Sequence, residues 1–143
     1  MHFVTGGAYN GKRKWVKEHM VKDAPARWIS GYEKTVTDLQ NIEAYEKLTV
    51  IEGLEQFIYA WLENHDWRRD WHTLLHQWMK WETENRKLII IGTDMSKGIV
   101  PMDAKERLWR DVTGWCYQDI VNHASTVDVV WYGVSERLKG EIR

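Results

Sequence analysis

Apolar and polar positions fall along this chain in short blocks whose period keeps changing. His2–Thr5 is a short apolar run that predicts a strand, and a glycine-rich turn follows at residues 6–11. Over Lys12–Val21, the residues Trp15, Val16, His19 and Met20 share one side of a predicted helix. Asp23-Ala24-Pro25 closes that helix, because proline lacks an amide proton and restricts the residue before it. Ala26–Ile29 predicts a second strand, and the polar stretch Ser30–Lys47 a loop followed by a helix. Leu48–Ile51 is rich in β-branched residues and predicts a third strand. Helices are expected from Gly53 to about Trp61 and over about Trp67–Asn85. Leu88–Ile91 is a continuous apolar run that suits a parallel strand buried on both faces. Met102–His123 predicts a long helix, Val127–Tyr132 a last strand, and Ser135–Arg143 a charged, exposed tail. Strands that alternate with helices imply an α/β fold, with a mainly parallel sheet and helices on both faces.

Composition adds one feature, ten tryptophans in 143 residues. Trp67, Trp71, Leu74, Trp78 and Trp81 recur every three or four residues and form one helical stripe. Such a stripe packs on a core or a neighbouring subunit, or forms a stacking platform for a ligand; no polar group beside it would orient one. The formal net charge of −1 gives no case for a nucleic-acid or membrane partner. The single cysteine, Cys116, excludes an internal disulfide, fits a reducing compartment, and reads as a small buried residue. There is no stretch of membrane-spanning length and no signal-peptide layout, so a cytoplasmic protein of one domain, residues 1–143, is expected.

The chemistry gathers first at residues 4–14, VTGGAYNGKRK. A phosphate-binding loop reads Gly, four residues, Gly, Lys, then Ser or Thr. Gly6, Gly7, Ala8, Tyr9, Asn10, Gly11 and Lys12 fit, but Arg13 stands at the hydroxyl position. Backbone amides and the lysine bind phosphate, whereas the hydroxyl holds Mg²⁺. Arginine has donors and no acceptor, so phosphate binding is expected to outlast metal-assisted transfer. A carboxylate at the end of another buried strand is also needed, and Glu52 offers one. His72 and His76 are spaced to share a metal, with His65 a turn or two earlier, but incidental imidazoles on a helix fit as well. Asp94 and Asp103 read as active-site carboxylates or as caps, with Asp103 well placed as an N-cap. Arg107 and Arg110 could bind phosphate or pair with Glu106 and Asp111.

VTGGAYNGK, then GTDMSKGIVP at 92–101, KERLWRDVTG at 105–114 and VDVVWYGVSERLKG at 127–140 occur in that order. Together they resemble the bifunctional adenosylcobinamide kinase / adenosylcobinamide-phosphate guanylyltransferase family (CobU/CobP). The resemblance implies a P-loop NTPase-like three-layer α/β fold and a homotrimer. It implies an enzyme of cobalamin biosynthesis that phosphorylates the aminopropanol hydroxyl of adenosylcobinamide with ATP or GTP. That family then transfers GMP to the phosphate through a guanylated histidine. By position, Gly6 to Arg13 would form the nucleotide loop, and Ser30, Gly31 and Tyr32 would contact nucleotide. Glu52 matches the acidic strand end, Asp94 the glutamate before GIVP, and Arg107, Arg110 and Asp111 the later helix. Lys12, Glu52 and Asp94 are then the expected catalytic groups, Lys12 on the transferring phosphoryl group and the carboxylates on Mg²⁺, its waters or the nucleophile. The chain departs at Arg13, at Thr93-Asp94-Met95, and at Tyr117, where the family has Asn before the Gln kept here as Gln118. It also departs at residues 31–48, which look shortened and hold no histidine where the family's nucleophile lies. Two functions stay open: a cobinamide kinase-like phosphotransferase, and a non-catalytic nucleotide or phosphate binder. An empty-loop scaffold is a third.

Overall fold

A computed structural model describes residues 1–64, 66–96 and 103–141. The elements in order are β1 (His2–Gly6), α1 (Lys12–Val16), a π-helical turn Lys17–Val21, β2 (Arg27–Ser30), α2 (Val36–Gln40) and a 3₁₀ turn Ile42–Ala44. Then come β3 (Leu48–Glu52), α3 (Leu54–Trp61), α4 (Trp67–Trp81), β4 (Lys87–Thr93), α5 (Ala104–His123), β5 (Thr126–Trp131) and β6 (Val134–Lys139). One sheet runs β2-β3-β4-β1-β5-β6, parallel except for the β5–β6 pair. This is the expected α/β architecture, a P-loop NTPase-like fold with a mainly parallel sheet.

Strand periodicity divides the core between two layers. On β4, Leu88 and Ile90 join the cluster formed with α2 to α5, while Ile89 and Ile91 join the one formed with α1. On β1, Phe3 and Val4 split in the same way. The chain leaves β1 toward β2 under α1, then returns through β3, β4 and β5 under the helices of the other face. Reversing direction while changing face is what right-handed crossovers require. Adjacent strands β1 and β4 therefore send their connections apart, and a cleft opens at their carboxyl ends.

The tryptophan stripe is core. Trp71, Leu74, Trp78 and Trp81 are buried and Trp67 packs beside them. Trp78 Nε1 donates to Tyr45 Oη at 3.0 Å, and that hydroxyl donates to Leu39 O at 2.5 Å. The α4 helix ends at Trp81, not near Asn85, because Thr83 and Arg86 exchange backbone bonds in a tight turn. Asp103 does cap α5, accepting from Lys105 N at 2.7 Å. No helix among the described residues is long and apolar enough to cross a membrane.

The charged tail is the main correction. Residues 134–139 form a sixth strand, antiparallel to β5, and they are largely exposed as expected. Tyr132 and Gly133, at φ of 50° and 78°, make the two-residue turn into it. Asp128 on β5 holds Arg137 on β6 at 3.0 and 3.1 Å. Met102 and His65, named from the sequence, lie outside the described residues.

Tyr45→Phe removes a hydroxyl that serves both Trp78 and Leu39. Leaving that buried donor and acceptor unpaired should cost about 1–3 kcal/mol in urea unfolding.

Candidate functional site

The predicted residues converge on the carboxyl edge of the sheet. Gly6 ends β1 opposite Thr93 of β4, and Asp94 N donates to Gly6 O at 2.8 Å. Gly6, at φ 151°, passes so close to Val130 that a β-carbon there would lie 2.2 Å from its carbonyl oxygen. Only glycine lets β1 run into the loop beside β5. Gly7 accepts the Lys12 ammonium, Tyr9 takes a positive φ of 61°, and Asn10 O accepts Gly133 N at 3.0 Å. The β5–β6 turn thus braces the loop from outside.

Ala8, Tyr9, Gly11, Lys12, Arg13, Tyr32 and Glu52 line a cleft of about 690 Å³. Lys12 is buried, and its ammonium donates to Gly7 O at 2.8 Å. Burial lowers its pKa from the ordinary lysine value, against the opposing pull of Glu55, Glu52 and Asp94. Ser30 and Gly31 work from behind: Ser30 Oγ donates to Glu52 Oε1 at 3.4 Å, and Gly31 N donates to Glu52 O at 2.8 Å. Asp94 acts on Lys12 electrostatically, as Glu52 does, but its hydrogen bonds are local. Its Oδ1 accepts from Ser96 N and Oγ at 2.8 and 2.6 Å, so it closes its own turn.

Arg13 does something its sequence position did not disclose. Its Nη1 reaches both Oε1 and Oε2 of Glu52 at 2.8 Å, and the guanidinium lies 4.9 Å from the centre of the Trp28 ring. The Glu52 side chain is only 9% exposed, against 49% for Arg13. A divalent cation needs oxygen ligands. Arg13 supplies none and occupies both oxygens of Glu52, so these residues do not fit Mg²⁺.

Sequence reasoning missed Glu55. It stands in the first turn of α3, buried, in the wall of the same cleft. Its Oε2 accepts Tyr32 Oη at 2.9 Å and its Oε1 accepts Thr93 N at 2.8 Å. Trp109 Nε1 donates to its carbonyl at 2.7 Å, and Tyr117 Oη donates to Thr93 O at 2.9 Å. The available signal was the spacing from Glu52, three residues on and past the strand end, which turns it back toward the loop. Arg110 donates to Ser96 O at 3.2 Å. Of the histidine pair, His76 Nδ1 lies 2.7 Å from His72 O on an exposed face, and no group of three metal-ligating side chains occurs among the described residues. The GIVP stretch lies outside the described residues.

Burial, and then the Glu55 carboxylate, pushes the Tyr32 phenol from 10.0 up to about 12. The folded protein therefore keeps this proton when the unfolded chain has lost it. Tyr32's contribution to stability is complete below pH 10 and is lost as pH rises toward 12. Glu55→Gln should bring the Tyr32 phenolate titration, followed by ultraviolet absorbance, back toward 10.0.

Residues 16–138 match the family model described as cobinamide kinase / cobinamide phosphate guanyltransferase. The matched region begins beyond Arg13, so the loop rests on its own residues and geometry. No curated protein sequence matches the chain.

Proposed function

The chain belongs to the cobinamide kinase / cobinamide phosphate guanyltransferase family, and we propose that it retains the kinase half of that pair. In this reading ATP or GTP places its phosphates against the loop, and the γ-phosphoryl group passes to the alcohol of a cobinamide-type corrinoid. The observation that carries it is the convergence of Lys12, Arg13, Glu52 and Glu55 on one cleft at a sheet edge where ligands of this fold class bind. Phosphoryl transfer asks mainly for positioning and charge neutralisation, and this cleft offers both.

Each residue has a part. Lys12 leaves Gly7 O for the transferring phosphoryl oxygens. Arg13, held by Glu52, presents a fixed cation beside it. Glu55 offers a buried carboxylate that can accept the hydrogen of an incoming hydroxyl in place of Tyr32. Guanylyl transfer is a different matter. It needs a nucleophile, and among the described residues no histidine lines the cleft, nor does one occur in residues 31–48. We assign this chain no covalent guanylyl step.

The engagement of both Glu52 oxygens by Arg13 favours a second reading, a non-catalytic phosphate binder. The two separate cleanly. With adenosylcobinamide and γ-labelled GTP or ATP, a kinase puts label on the corrinoid, and Lys12→Ala should lower that rate about 100-fold or more. α-Labelled GTP should leave no label on the protein. Nucleotide binding without labelled corrinoid, beside an active family member as control, selects the binder.

A further inference from the structure

We propose that the Arg13–Glu52 pair stands in for the divalent cation, so that this cleft takes a nucleoside triphosphate free of metal. The proposal rests on the nucleotide-binding reading above and goes beyond it by fixing the form of the ligand.

Two positions set the cation in loops of this type: the residue after the lysine, and the acid at the end of a neighbouring strand. Here they are Arg13 and Glu52, and they hold each other. Both Glu52 oxygens lie 2.8 Å from Arg13 Nη1, with Ser30 Oγ 3.4 Å from Oε1. Freeing this nearly buried carboxylate for a metal would break charge-assisted bonds and strand the guanidinium.

The guanidinium is also suited to the work. The stacking of Trp28 beneath it and the grip of Glu52 fix its plane. Glu52 uses Nη1 alone; Nη2 and Nε have no hydrogen-bond partner among the described residues. Its head is half exposed and lines the cleft with Lys12. Planar donors on a fixed cation match phosphate oxygens. Metal-free triphosphate carries more negative charge than its Mg²⁺ complex, and Arg13 is the cation placed to meet it.

One substitution restores both expected metal ligands. Arg13→Ser returns a hydroxyl to the loop and releases Glu52. The test is GTP and ATP affinity by calorimetry, for the parent chain and Arg13→Ser, in EDTA and in excess Mg²⁺. The parent should bind as tightly in EDTA as in Mg²⁺. Arg13→Ser should lose about tenfold or more in EDTA, the loss of a charge-assisted contact, and recover affinity with Mg²⁺. A parent chain that needs Mg²⁺ for tight binding overturns the proposal and leaves the nucleotide reading standing. Binding by Arg13→Ser that matches the parent in both buffers also overturns it. No binding by the parent in either buffer overturns both. If Arg13→Ser does not fold, the parent's own comparison of EDTA with Mg²⁺ decides the matter.

Discussion

The double-sided burial of β4 is the constraint on which the rest of the molecule depends. Leu88, Ile89, Ile90 and Ile91 are all nearly inaccessible, two on each face of the sheet. A strand covered on both sides must satisfy its backbone through neighbouring strands, and β3 and β1 supply those bonds in parallel register. Parallel pairing forces each connection to cross the sheet. It also places the ends of β1, β2, β3 and β4 on one edge. The cleft follows from that arrangement, because residues distant in sequence have their strand ends in common.

Within the cleft every charged group has a partner. Arg13 pairs with Glu52, Lys12 donates to Gly7 O, and Glu55 accepts from Tyr32 Oη and Thr93 N, with neither carboxylate well exposed. Buried charges persist when each has a partner. Arg13 therefore does two things at once: it satisfies Glu52 and it presents a cation to the opening. A serine there would do neither. The substitution at this position reads as a change in how negative charge is met, and not simply as the loss of a ligand.

Much of the fold was legible in local pattern. Apolar runs at β1, β3, β4 and β5 and the stripe on α4 reflect burial that a single segment encodes. The strand β6 was not legible, because Val134, Glu136 and Leu138 are exposed and the side chains that bond back to the fold are charged, Arg137 to Asp128 and Lys139 to Val121 O. Its turn also uses Tyr132 at a positive φ, where asparagine or glycine is the usual signal. The site was half legible. Loop glycines, Lys12 and Glu52 follow from spacing. The Arg13–Glu52 pair and the seating on Trp28 do not, since they join different elements through strand order. Glu55 escaped because a lone glutamate in a first helical turn has a sufficient local reason to be there, its interaction with the helix dipole.

The bond from Gly133 N to Asn10 O has a bearing on how the molecule assembles. It joins the first turn of the chain to the last. Contacts between such distant segments form late, because the entropy of closing so long a loop is recovered only when the intervening structure is in place. On a ribosome, the glycine turn would emerge early and wait, unbraced, until the final hairpin had been synthesised. The sheet edge that carries the glycine loop is thus the last part of the molecule to mature, and a chain cut short before β6 would carry the loop sequence without its brace.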